Sequence, residues 1–377
     1  MNKKLLAVAI AAALAPAAAM ADSGNVTIYG SVHMSVESLN GGNNGAVPVA
    51  DLYRKTNVSS NSSYIGFKGS EDLGNGLKAI WQMESLVGMG DTGAGTNVNS
   101  LTSRNSFLGL SGGFGTAILG RHDTPVKLLG RKADLFGDQI GESRNLISAG
   151  GATFDLRPDN VVAYVSPTIS GFSGILAYVT NVGAGAAAPL PITAVSASGN
   201  YESGPVMVGL GYETHNMSNT GTAANGVADD KIIRLVGGYT FGDVKLVGLY
   251  QKAKFNDANV VLDAATNERK TWGLGAAYKM GATTIKGQYY NANDLSGCAT
   301  GIDCSATGAK MIVVGADYSL SKRTTAYVAY AKTNNDSGAT AGTGASYSAF
   351  GGGHGDNPGT VAGKDPSGFS LGMKHSF

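Results

Sequence analysis

The chain has 377 residues, 56 of them glycine and only 15% charged, against about 25% charged in ordinary globular domains. Lys plus Arg (28) almost balance Asp plus Glu (27), so a formal net charge of +1 gives no electrostatic footprint for nucleic acid, and no G-X-Y period signals collagen. Mean hydropathy is -0.01, too polar for a bundle of membrane helices.

Met1-Asn2-Lys3-Lys4 is basic, Leu5 to Leu14 is unbroken apolar, and Ala19-Met20-Ala21 has the A-x-A form of a cleavage site. These are the three parts of a secretory signal peptide, residues 1–21, too short to span a bilayer that needs ~20 apolar residues. Cleavage near Ala21 removes two lysines and no acid, which leaves residues 22–377 as one domain of net charge −1. No later segment approaches 18 consecutive apolar residues, so strands rather than helices would enter any membrane.

The mature chain reads as short segments of period two. Val26, Ile28, Val32, Met34 and Val36 alternate with Thr27, Tyr29, Ser31, His33, Ser35 and Glu37. Leu77, Ala79, Trp81 and Met83 likewise oppose Lys78, Gln82 and Glu84, and the final segment sets Phe369, Leu371, Met373, His375 and Phe377 against Ser370, Gly372, Lys374 and Ser376. Sixteen such segments start near Val26, Ser63, Gly76, Arg104, Gly115, Arg157, Gly171, Thr193, Pro205, Lys231, Val244, Lys270, Thr283, Lys310, Arg323 and Ser367.

Alternation alone also fits a soluble sandwich; the connections discriminate. Every second one is tight, as at Gly112–Gly115, Ser170-Gly171, Gly242-Asp243 and Met280-Gly281. The others are long and rich in Gly, Asn, Ala, Ser and Thr, as at Gly41–Lys55, Asp91–Asn99, Gly183–Pro191 and Asn335–Asp365. Short turns at one end, long loops at the other and an even strand number make an outer-membrane barrel pattern. A closed barrel leaves no unpaired edge in lipid. Phe67, Trp81, Phe172, Trp272, Tyr278, Tyr318 and Phe377, near segment ends, suit interfacial girdles. Cys298 and Cys304 lie in a loop-like stretch, and in an oxidising compartment they favour a disulfide over a metal site, since no further Cys or His is nearby.

The stretches Ile65–Glu84, Phe107–Thr116, Leu119-Gly-Arg121, Tyr164-Val-Ser-Pro167 and Gly372–Phe377 resemble the general diffusion porins of Gram-negative bacteria, in particular the β-proteobacterial type. The resemblance runs over essentially the whole mature chain. It implies an all-β, 16-stranded antiparallel transmembrane β-barrel with an inward-folded third loop. It also implies a homotrimer in the outer membrane, in contact with its lipid, that passes ions and small hydrophilic solutes passively. Phe377 looks like the family's signal to the barrel assembly machinery. No cofactor, metal or nucleic acid is implied.

Residues 122–156, between Arg121 and Arg157, form the longest connection and one of the most charged, and long loops in compact folds are uncommon unless functional. If it folds inward as the resemblance implies, Leu135, Phe136 and Ile140 pack on the wall while Asp134, Asp138 and Glu142 face the lumen, flanked by Arg131, Lys132 and Arg144. Opposite it the family carries a basic wall cluster, matched here by Arg121 and Arg157, with Arg104 as a neighbour. Tyr64 and Ser31 depart from that cluster, where the family often has Arg and Lys. The transverse field is then weaker or shifted, leaning to anions.

An enzyme is the rival class. Gly109-Leu-Ser-Gly-Gly113 matches G-x-S-x-G, but that elbow needs a strand–turn–helix context, and Phe114–Leu119 continues as a strand. His33, His122, His215, His354 and His375 show no H-E-x-x-H spacing, so an outer-membrane hydrolase is the weaker reading. An adhesin using Asn335–Asp365, or a substrate-specific channel with a track of Tyr289, Tyr290, Tyr327 and Tyr347, remain alternatives.

Overall fold

The computed structural model describes residues 26–41, 54–89, 101–147, 154–180, 193–216, 229–256, 266–298, 304–336, 347–350, 354–355 and 363–377. The signal segment 1–21 and the connections 91–99 and 183–191 lie outside the described residues. In chain order the strands are β1 (Thr27–Asn40), β2 (Arg54–Ser60), β3 (Tyr64–Gly74), β4 (Leu77–Leu86), β5 (Ser106–Gly112), β6 (Gly115–Arg121), β7 (Val161–Val165) and β8 (Phe172–Val179). There follow β9 (Thr193–Ser203), β10 (Val206–Asn216), β11 (Asp230–Phe241), β12 (Val244–Asn256), β13 (Thr266–Met280), β14 (Thr283–Ala292), β15 (Ala309–Ser319), β16 (Thr324–Asn335) and β17 (Ser367–Ser376).

The strands pair antiparallel with their sequence neighbours, except that β2 and β3 both pair with β1, and β17 pairs with β1, which closes the sheet. At the seam the Gly30 N–H donates to the Phe377 carbonyl (3.0 Å) and the Phe377 N–H to the Gly30 carbonyl (3.1 Å). The seventeen segments make sixteen staves. β2 covers the loop-side half of β1, with Met34 opposite Ser60, and β3 covers the turn-side half, with Ser31 opposite Tyr64. Between them Ser62 adopts a positive φ of 53°, and the Asn61 N–H still donates to the His33 carbonyl (2.8 Å). The second stave therefore begins at Arg54 rather than near Ser63.

The two faces differ as water and lipid differ. On β15, Met311 and Val313 are buried, while Ile312 and Val314 are about half exposed. On β13, Thr271 is buried while Trp272 and Leu274 are exposed. The exposed set is dominated by Leu, Ile, Val and aromatics; the buried set carries Ser35, Glu37, Ser196, Glu213, Arg234, Gln251, Lys286 and Gln288. That inversion, with polar side chains inside and apolar ones outside, is the arrangement a barrel needs in a bilayer. Among the described residues no helix is long and apolar enough to cross a membrane.

At the turn end Phe172, Tyr239, Phe241, Tyr278, Tyr318 and Phe377 are each about half exposed, and Phe172 packs on Tyr201 across the strands at 4.6 Å. This is a girdle at a membrane–water boundary. Cys298 and Cys304 are joined by a disulfide in the connection between β14 and β15.

Candidate pore constriction

The connection between β6 and β7 opens with a short helix, Pro125–Arg131. Thr124 caps it, its hydroxyl accepting from the Lys127 N–H (3.4 Å), and Pro125 occupies the first turn, where its missing N–H costs nothing. Val126 and Leu129 are fully buried against β9, β10 and β11. Glycine makes the seat: a Cβ at Gly209 would lie 2.4 Å from Leu129 Cδ1, and one at Gly211 2.9 Å from Leu129 Cδ2.

Both ends of the connection are tied to one arginine. Arg234 on β11 has no exposed surface. Its Nη1 and Nη2 donate to the two Asp155 carboxylate oxygens (2.5 and 2.7 Å), and Nη1 donates again to the Val126 carbonyl (2.9 Å). Nε and Nη2 also donate to Gln251 Oε1, directly across on β12, while Gln251 Nε2 donates to the Ile147 carbonyl (2.7 Å). A planar guanidinium has the donors to hold so many acceptors at once.

The middle of the connection is held from β14. Lys286 Nζ donates to the Leu135 carbonyl (2.9 Å) and Gln139 Oε1 (3.1 Å), pairs with Asp317 (2.8 Å), and lies 4.5 Å from the Phe136 ring centre. Gln288 accepts from the Leu135 N–H (2.9 Å) and donates to the Ala133 carbonyl (2.8 Å). Phe136 and Ile140 pack with Met311, Val313, Ala329 and Ala331, all fully buried or nearly so. Gly141, at φ +71°, passes so close that a Cβ would sit 2.3 Å from Val313 Cγ2. All of these wall contacts come from the face opposite the exposed apolar side chains.

Of the three candidate acids, Asp138 pairs with Arg131 (3.0 Å) and Arg144 (3.7 Å). Burial works against its charge, but Arg131 and Arg144 outweigh it and hold the carboxyl below the ordinary range. Asp134 turns into the loop, accepting from the Phe136 N–H (2.9 Å), the Ser143 N–H (3.0 Å) and the Ser143 hydroxyl (2.8 Å). Glu142 accepts from the Asp138 N–H (3.0 Å) and pairs with Arg144. Burial pushes the carboxyls of Asp134 and Glu142 upward. These two acids organise the loop more than they present charge to water.

The candidate bases are paired as well. Arg104 binds Glu84 and lies 4.7 Å from the Tyr64 ring centre. Arg121, 30% exposed, pairs with Asp159 (2.8 Å). Arg157 pairs with Asp123 (2.9 Å) and donates to Asn105 (2.9 Å). Asp123 also binds Lys127 (2.8 Å), and the two cations overcome burial to hold its carboxyl well below the usual range. Burial draws the Lys127 ammonium down to about 8, against the pull of Asp123. Arg131, 31% exposed, is with Arg121 the most open arginine of the group.

A second segment meets the first. Tyr347, Ala349 and Phe350 are fully buried in the cluster that holds Phe136, and the Gly141 N–H donates to the Ala349 carbonyl (2.8 Å). His354 Nε2 bonds both Glu37 oxygens (2.7 Å each), and Ser35, Ser59 and Ser370 donate to the same carboxylate. The small, polar composition of Asn335–Asp365 concealed this packing; Tyr347, Phe350 and His354 were its only signals. The four tyrosines form no track: Tyr290, Tyr327 and Tyr347 are buried, and Tyr289 packs on the outward-facing Trp272 (5.5 Å). Ser111 of the G-x-S-x-G match bonds Thr116 Oγ1 (3.0 Å) across the β5–β6 hairpin.

A closed barrel with an apolar outside, a polar inside and a charged segment bonded to its inner face is a membrane-spanning channel. A family model described as Gram-negative porin matches residues 7–340. The chain is 34% identical over 341 residues to the major outer membrane protein P.IB of Neisseria meningitidis, covering 87% of this chain and 92% of that protein. It is 31% identical over 389 residues to outer membrane porin protein 32 of Delftia acidovorans, covering all of both chains. Among solved structures, an anion-selective porin from Comamonas acidovorans superposes with a TM-score of 0.70 at 26% identity, over 94% of this chain and all of that one. The chain belongs to the Gram-negative porins. It is an outer-membrane general porin, a channel for passive diffusion of ions and small solutes.

Truncating Arg234 to methionine removes the guanidinium that binds both oxygens of buried Asp155, a loss of about 3–5 kcal/mol for a broken buried pair. Arg234→Met therefore lowers the thermal midpoint and opens residues 122–156 to limited proteolysis. Adding Asp155→Leu recovers part of the stability. Unchanged proteolysis in the single variant would mean that this pair does not hold the segment.

Proposed function

We propose that residues 122–156, within the single barrel domain 22–377, are the constriction of this porin, with Arg104, Arg121 and Arg157 on one side of the water path and Asp138 with Arg131 on the other. The observation that carries this reading is the double attachment of the segment to the inner face, by Arg234 at its ends and by Lys286 and Gln288 at its middle. A segment so attached takes cross-section from the lumen, and the charges at its edge act where water is scarcest.

A weak anion preference follows. Near the segment Glu84, Asp123 and Asp138 are each met by an arginine or lysine, while Asp134 and Glu142 are spent within the loop. The relative from Comamonas acidovorans, described as anion-selective, supports the same sign. The reading treats the chain as a channel and no enzyme, exported by cleavage near Ala21, working as a homotrimer in outer-membrane lipid, with Phe377 as the mark for the barrel assembly machinery.

Planar-bilayer recording of purified protein tests the function: large stepwise openings are expected, with chloride more permeant than potassium. Asp138→Asn moves the reversal potential further toward chloride in a salt gradient; no movement would take Asp138 out of the ion path. The sign of the pH response follows from Lys127, which loses its proton as pH rises through about 8. Anion preference thus falls between about pH 7 and 9, and Lys127→Met flattens the step. A pH-independent reversal potential in the parent channel would mean that Lys127 does not act on the pore.

A further inference from the structure

The outward face of β11–β13 holds a charge cluster that ion permeation does not use. Lys252 and Lys254 share the parity of Leu246 and Tyr250, and Glu268 and Lys270 that of Trp272 and Leu274, so all four point away from the lumen. Lys231 on β11 lies on the same outward face as Ile233 and Leu235.

The register sets like charges against each other. Lys231 is directly opposite Lys254, and Lys252 directly opposite Lys270. Like charges directly opposite destabilise an antiparallel pair. One carboxylate serves three of these ammoniums: Glu268 lies 3.0 Å from Lys252 Nζ, 3.8 Å from Lys254 Nζ and 3.8 Å from Lys270 Nζ. Their side chains stay 39%, 51% and 50% exposed, able to meet a further anion.

The position says what that anion is attached to. The Tyr250–Trp272 cross-strand pair lies one step toward the membrane centre from the Lys252–Lys270 pair, with Leu235 directly opposite Tyr250 and Leu274 continuing the apolar band beneath. The lysines stand where the wall leaves hydrocarbon on the long-loop side, which is the outer leaflet for a barrel of this type. A soluble anion gains nothing from the aromatic and aliphatic strip below. An amphiphile with an anionic head uses both parts. Ammonium point charges on flexible stems suit phosphate oxygens spread over a headgroup.

We propose that Lys231, Lys252, Lys254 and Lys270 form a binding site for the phosphate groups of a lipid headgroup in the outer leaflet, with Tyr250 and Trp272 against its acyl chains. Glu268 spaces the lysines and competes with the phosphate.

Trp272 reports on the site directly. The chain has two tryptophans, so Trp81→Phe leaves it as the sole indole. Detergent-purified protein is titrated with bisphosphorylated lipid A, with the same lipid after phosphatase treatment, and with inorganic phosphate. Trp272 fluorescence is expected to saturate with the bisphosphorylated lipid at concentrations at least tenfold below those needed for the other two. The combined Lys252→Gln, Lys254→Gln and Lys270→Gln variant, shown folded by parental single-channel conductance, weakens binding at least tenfold. Glu268→Gln tightens it, and Lys279→Gln with Lys322→Gln, in turns at the other end, leaves it unchanged. Equal binding of the dephosphorylated lipid, equal binding of free phosphate, or parental binding by the triple lysine variant would overturn the proposal.

Discussion

Much of the lumen depends on one buried guanidinium. Arg234 joins strand β11 to the carboxylate at one end of the 122–156 connection and to a helical carbonyl near the other. A charge without exposed surface is tolerable only when paired and fully hydrogen-bonded, and here Asp155, Val126 and Gln251 together satisfy it. That requirement works in both directions. The wall supplies the arginine its partners only if the segment returns along the inner face, so the cost of burying the charge becomes a constraint on the path of the loop.

The same logic runs along β14, where Lys286 and Gln288 meet three backbone groups of the segment. Apolar contacts then fill between the polar fixings: Phe136 and Ile140 enter a patch of Met311, Val313 and Ala329 on a face otherwise rich in polar side chains. Glycine makes that approach possible at Gly209 and Gly141. The second segment, through Ala349 and Phe350, closes over the same patch, so two connections from different ends of the chain share one support.

Period two, the division into tight and long connections, and the aromatic ends made the barrel legible, because lipid outside and water inside impose opposite chemistry on alternate residues. β2 was not legible. Thr56-Asn57-Val58-Ser59-Ser60-Asn61 offers one apolar side chain, and its strand conformation comes from pairing with β1. Length and charge singled out the 122–156 segment, but its attachment to the wall could not be read from them. Arg234 and Gln251 lie inside strands β11 and β12, remote in sequence from residues 122–156, and only the cross-strand register sets them face to face. Asp134, Asp138 and Glu142 look alike in sequence; their difference arises from Ser143, Arg144 and Arg131, which the loop's fold brings to each in unequal measure.

The central claim is that the 122–156 segment borders the water path inside the barrel. Substituted-cysteine accessibility at Arg131 tests it most directly, since the native cysteines are joined to each other and do not compete for reagent. In a planar bilayer, a bulky neutral thiol reagent applied to Arg131→Cys should lower single-channel conductance in discrete steps while the parent channel is unaffected. Complete labelling by mass with no change in conductance would contradict the account.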